Sequence, residues 1–113
     1  MKMWLRVSDD VFTNRKFERA WEDDPASVGL WLFASSHSGH HLLDGAVPRR
    51  FVRQWFTTSS RERRATGALV DAGLWLPNGD GWEIHDWADY NPTRDEVLAK
   101  RAADSARKRS GSP

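Results

Sequence analysis

The 113-residue chain has no cysteine, and that absence removes three kinds of protein at once. A disulfide scaffold, a thiolate zinc site and a cysteine nucleophile all need a sulfur that is not supplied. No stretch approaches the roughly 18 consecutive apolar residues that a membrane span requires, and no signal-peptide pattern opens the chain. Internal repeats are missing, as are a glycine-rich phosphate loop and a pair of carboxylates at catalytic spacing. The expectation is a soluble cytoplasmic protein with no membrane partner, no cofactor, no metal and no enzymatic activity.

Aromatic residues are plentiful. Seven Trp and five Phe supply large apolar bodies, so a chain of this length can bury one core and still carry a tail. The net charge of +1 hides a strong division. Residues 46–70 carry Arg49, Arg50, Arg53, Arg61, Arg63 and Arg64 against Glu62 alone. Residues 71–98 carry Arg94 against seven acids, and residues 99–113 carry five bases against Asp104. Two basic blocks inside a near-neutral chain are the footprint expected of a phosphate binder. The plainer reading is that the arginines merely solvate helix faces.

Along the chain, Met3–Val7 alternates weakly and predicts a short N-terminal strand, closed by Ser8-Asp9-Asp10. Residues 11–21 are ambiguous, with Phe12, Phe17 and Trp21 as anchors. Asp24 before Pro25 is a helix start, an acidic cap followed by proline at the first position. Val28, Leu30, Trp31, Leu32 and Phe33 make that helix apolar almost all round, which predicts a buried spine ending near Ser38-Gly39. Asp44–Pro48 reads as a turn, or as a strand of a single bridge.

The segment from Val47 to Trp87 carries most of the information. Pro48–Phe56 predicts one short helix, Thr57-Thr58-Ser59 a turn, and Ser60–Ala72 a second helix, together a helix-turn-helix. Ser59 and Glu62 have the spacing of a capping box, and Gly73 stands where a helix C-terminus favours glycine. Leu74–Leu76 and Gly81–His85 flank Pro77-Asn78-Gly79-Asp80, which suits a tight hairpin. Thr93 and Glu96 form a second capping box, opening a helix through Val97 and Leu98. Residues 107–113 read as disordered on their own. The fold class is therefore α+β and mostly helical. It reads as a winged helix-turn-helix over residues 1–92, with a short N-terminal strand and a two-stranded wing. A C-terminal basic helix and disordered tail follow over 93–113.

Three phrases carry a family resemblance: Trp4 to Phe12, Leu69 to Trp75, and Gly81 to Pro92, whose Ile84-His85-Asp86-Trp87 is the most specific part. Together they resemble the winged-helix domain of actinobacterial phage and prophage DNA-binding proteins, similar to the N-terminal domain of phage replisome organisers. The resemblance covers roughly residues 3–100. It implies origin binding or transcriptional regulation in the host cytoplasm. In the family a further C-terminal region recruits helicase machinery; residues 93–113 leave little room for one, so DNA binding is the part carried over.

On this reading the helix 60–72 enters the major groove of double-stranded DNA. With Ala65, Leu69 and Ala72 on the core side, Ser60, Arg63, Arg64, Thr66 and Gly67 point outward or sideways and are the base-reading candidates. Arg63 and Arg64 lead, because a guanidinium pairs bidentately with guanine. Gly67 lets a groove wall, or else another protein element, approach closely. Arg49, Arg50, Arg53 and Arg61 suit phosphates, as do Lys100, Arg101, Arg107, Lys108 and Arg109 on the tail. The wing tip offers Asn78 and Gly79 beside the acids Asp80, Glu83 and Asp86, a sign that suits a basic partner surface better than phosphate. A second protomer, or a replication or transcription protein, is the further partner considered. The alternative function is a protein-interaction winged helix that recruits a partner through the acidic wing and the tail helix.

Other groups are set aside. His37, His40 and His41 sit at metal-binding intervals, but Gly39 should break the helix there and leave an exposed loop. His85 and Asp86, as strand neighbours, should face opposite sides, with His85 packed against tryptophans. Trp31, Trp55, Trp75, Trp82 and Trp87 could stack on single-stranded bases, yet all fall at expected core or inner hairpin positions.

Overall fold

Two side chains set the first two helices. Asn14 accepts from the Lys16 amide at 2.9 Å and opens α1 (Arg15–Asp23); Asp24 accepts from the Ala26 amide at 3.2 Å and opens α2 (Pro25–His40). Each satisfies an amide that the first helical turn leaves without a partner. The computed structural model describes residues 4–111, and in it the ambiguous segment 11–21 is a 3₁₀ turn, Val11–Thr13, followed by α1.

The apolar ring around α2 does not make it a spine buried on all sides. Its buried line is Ser27, Leu30, Ala34, Ser35 and Ser38, while Leu32 is 44% and Phe33 49% exposed. The small residues face α1 and α4, and two of the serines satisfy backbone groups. Ser27 Oγ donates to the Ala20 carbonyl at 3.1 Å, and Ser38 Oγ accepts from the Gly45 amide at 2.8 Å. α2 runs through Gly39 and ends one residue later at His40, with His41 as its cap, so His37 and His40 stand on the helix.

Beyond α2, Gly45 at φ +90 turns the chain into β1 (Ala46–Val47). A Cβ at Gly45 would lie 2.8 Å from Trp87 Cβ, so the conformation and the packing both demand glycine. β2 (Trp75–Asn78) and β3 (Gly81–Ile84) form the hairpin, and the sheet is antiparallel in the order β1-β3-β2. Gly81 sits opposite the crossing chain, where a Cβ would come within 2.3 Å of the Val47 carbonyl oxygen. The third strand is thus Ala46–Val47. Residues 4–7 have no regular structure, and Met3 lies outside the described residues. One sheet edge is taken by β1, and the other carries Pro77, which has no N–H to offer a further strand.

Between β1 and the hairpin come α3 (Arg49–Arg53) and α4 (Ser59–Asp71). α3 is shorter than the 48–56 span expected. α4 begins one residue earlier than Ser60, because Thr58 caps it by accepting from the Arg61 amide at 3.2 Å. Ser59 and Glu62 therefore form no capping box. Glu62 is instead buried, with its Oε1 3.9 Å from Arg53 Nε. At the other end Gly73, φ +80, donates to the Val70 carbonyl and Leu74 to the Leu69 carbonyl, both at 3.0 Å. That pair of bonds is the usual glycine-terminated helix end. Trp75, Leu69, Val47 and Val52 are fully buried between α2, α4 and the sheet.

A single helical turn, α5 (Trp87–Tyr90), leads to α6 (Arg94–Gly111). Thr93 Oγ1 accepts from the Glu96 amide and donates to its carboxylate, both at 3.2 Å, and Asp44 accepts from the Arg94 amide at 2.6 Å. α6 does not fade after Leu98 into a disordered end: it continues to Gly111. Residues 112 and 113 lie outside the described part. Val97 is its buried anchor, and the molecule measures 59 × 30 × 21 Å. Alanine, lysine and arginine are strong helix formers, and acids at the start with bases at the end suit the helix dipole. Propensity, more than packing, extends this helix. Among the described residues no helix is long and apolar enough to cross a membrane.

Candidate nucleic-acid interface

Buried Glu62, Ala65, Thr66, Ala68 and Leu69 define the inner side of α4. At about 100° per residue the opposite line is Ser60, Arg63, Arg64, Gly67 and Asp71, and all but half-buried Gly67 are exposed. The positions expected to face outward on α4 are therefore accessible, with one correction. Thr66 is 6% exposed, and its hydroxyl donates to the Glu62 carbonyl at 2.9 Å. Bonding to the preceding turn points it inward, so it cannot reach a base edge. A Cβ at Gly67 would meet nothing within 4 Å. No element among the described residues packs there, so close packing within them is not the reason for glycine.

The arginines are held differently. Arg63 and Arg61 are exposed with no side-chain hydrogen bond or ion pair among the described residues. An Arg64 Nη donates to the Asp23 carbonyl at 3.4 Å, at the end of α1. On α3, Arg50 is exposed, Arg53 lies beside Glu62, and Arg49 bends toward the hairpin. Its Nε donates to the Asp80 carbonyl at 3.1 Å, and its guanidinium lies 4.7 Å from the centre of the Trp82 ring. Arg49 is thus partly engaged within the protein. Lys100, Arg101, Arg107, Lys108 and Arg109 all lie exposed along α6, with Arg107 bonded to Asp104.

Asn78 and Gly79 are exposed at the hairpin tip, with Gly79 at φ +59 as the first of two turn residues. A positive φ there matches the right-handed twist of the flanking strands. Asp80 beside them is fully exposed apart from its contact with Arg49.

Three further expectations change. Trp75, Trp82 and Trp87 are buried and Trp31 is half-buried, but Trp55 is 50% exposed. It meets exposed Phe33 edge-on at 5.0 Å. The α2 line Gly29, Phe33, Ser36, His40, made mostly of small or polar residues, was the signal that this face is outward. His37, His40 and His41 pack ring against ring rather than standing in a loop, with centroids 4.6 and 4.8 Å apart. No metal-binding group is found among the described residues. Burial holds the His37 imidazole below its ordinary range, and His41, His40 and Arg50 push the same way. Finally, His85 does not pack under the tryptophans: it is exposed, and its Nε2 is 3.1 Å from Asp86 Oδ2. Asp86 has φ +59, which ends the strand alternation and turns both side chains together.

Comparison with protein-family models, with curated proteins and with solved structures gives no match.

Proposed function

We propose that the chain binds double-stranded DNA as a winged helix-turn-helix protein, presenting α4 to the major groove. The observation that carries this is the outer line of α4: Ser60, Arg63, Arg64 and Gly67, with open space at Gly67 and a single acid, Asp71, at the far end. The sequence of elements from α2 to β3 and the strand order β1-β3-β2 support the winged-helix reading, with β2 and β3 as the wing. Arg63 and Arg64 read bases; Arg50, Arg53 and Arg61 position the protein on phosphates, and α6 adds basic contacts on the flank. Origin binding or transcriptional control of phage type is the role that agrees with the resemblance.

Partner recruitment is the second reading, favoured by the exposed acids Asp80 and Glu83 of the hairpin and Asp89 and Asp95 of the helices that follow it. A salt series separates the two. Neutralising about four to six phosphates gives a slope of log K against log salt near −4 to −5 on duplex. Arg63→Ala relaxes sequence preference, whereas Arg50→Ala weakens specific and non-specific duplex alike. A flat salt dependence, or no retention on duplex at low salt, removes the DNA-binding reading. Selection from a random duplex pool then gives the site and its symmetry.

A further inference from the structure

Phe33 and Trp55, from α2 and the turn after α3, are each about half exposed and meet edge-on at 5.0 Å. Neither ring is needed to fill the core. Phe51 lies 6.0 Å from Trp55 and stacks at 4.2 Å on His37, so the aromatic surface continues inward from the two exposed rings. These rings, with His40 and His41, wall an open groove of about 320 Å³ that no carboxylate lines. Arg50 stands exposed on α3 close enough to act on the His37 imidazole of the groove, whereas Arg53 turns toward Glu62. On the same side of α2, exposed Gly29 has open space where a Cβ would stand.

We propose that this surface binds single-stranded DNA, with unpaired bases stacking on Trp55 and Phe33 and the backbone phosphates meeting Arg50. Stacking needs an exposed ring face, and it is open only to bases that have left the duplex; cations nearby then hold the backbone. An apolar protein partner would bury the same rings, but it would have no use for exposed Arg50 beside a groove that no described carboxylate lines. The platform is separate from the outer line of α4 and does not depend on α4 reading a duplex. It adjoins that helix through the turn 54–58, and Arg50 is the cation that the two surfaces share.

Fluorescence anisotropy of a labelled twelve-nucleotide oligothymidylate tests this at low salt, with an abasic phosphodiester of equal length as its control. Wild-type protein binds the thymidylate well above the abasic strand. Trp55→Ala and Phe33→Leu each lower thymidylate affinity by roughly 5- to 150-fold, the worth of one stacked base, and leave duplex binding in place. Arg63→Ala does the reverse, so failure of the duplex reading and failure of this one are told apart. Equal binding of the thymidylate and abasic strands overturns the proposal without any variant. So does full thymidylate affinity in Trp55→Ala. A wild-type dimer that Trp55→Ala turns into a monomer in sedimentation also overturns it, because the rings then join two copies.

Discussion

Arg49 reaches across from α3 to Asp80 at the hairpin tip, its Nε 3.1 Å from the Asp80 carbonyl and 3.9 Å from the carboxylate. The guanidinium also covers the Trp82 ring. One arginine of the basic block is therefore tied to the acidic hairpin, which fixes the position of the tip relative to α3. The Asp80 side chain is fully exposed, so its ion pair adds little to stability. If the protein binds duplex DNA as proposed, the larger effect of Asp80 is to hold positive charge away from the phosphates.

Asp80→Asn should accordingly strengthen duplex binding, by roughly two- to fivefold at low salt, and steepen the salt dependence. The melting temperature should hardly move, since the carbonyl bond and the ring contact remain. Unchanged or weaker binding would mean that the hairpin tip stays clear of the phosphates, and Arg49 with it.

Gly67→Ala separates folding from binding. An added Cβ meets nothing within 4 Å, and alanine favours a helix over glycine by about 1 kcal/mol. The variant should unfold at higher denaturant and bind specific duplex less tightly, because a methyl group then stands between backbone and groove wall. Higher stability with wild-type affinity would show that α4 does not approach DNA at this turn.

The hairpin and the starts of α2 and α6 were readable because each rests on local chemistry: Asn78-Gly79 at the turn, Asp24 before Pro25, Thr93 with Glu96. So was the outer face of α4, which follows from helical period once Ala65 and Leu69 are placed inside. Adjacent alternatives were harder. Thr58 and Ser59 are both good caps, and choosing Thr58 shifts Glu62 from a capping role to a buried position near Arg53. Apolar character alone could not tell that Trp55 and Phe33 remain outside while Ser27, Ser35 and Ser38 go inside. That assignment depends on close helix packing, where small residues fit and large ones are displaced to the flanks. Strand pairing was similarly non-local: Ala46–Val47 joins the sheet because Gly81 permits the close crossing.

The buried serines of α2 should respond unequally to removal of their hydroxyls. Ser38 Oγ accepts from the buried Gly45 amide at 2.8 Å, and Ser38→Ala leaves that donor unpaired, costing about 1–3 kcal/mol. Ser35 Oγ is equally buried but has no partner among the described residues, so Ser35→Ala should be near neutral or stabilising. Urea unfolding of both variants checks this. Equal losses would show that the volume of the hydroxyl, rather than its bond, is what the helix packing needs.

His37 gives the fold a defined response to acid. Its Nδ1 is buried without a hydrogen-bond partner, its ring stacks on Phe51, and burial lowers its pKa from 6.5, assisted by His41, His40 and Arg50. The folded state thus takes up a proton at this site less readily than the unfolded chain does. Above pH 6.5 both states are neutral there and the full stability is present. As pH falls below 6.5 toward the lowered folded value, the unfolded chain binds the proton first and stability declines. His37→Phe keeps an aromatic ring against Phe51 and removes the titration. Thermal unfolding from pH 8 to pH 5 should therefore show a loss in the wild-type protein that is visibly smaller in the variant. Parallel curves would show that His37 does not carry the acid response and is only a packing residue at the end of α2.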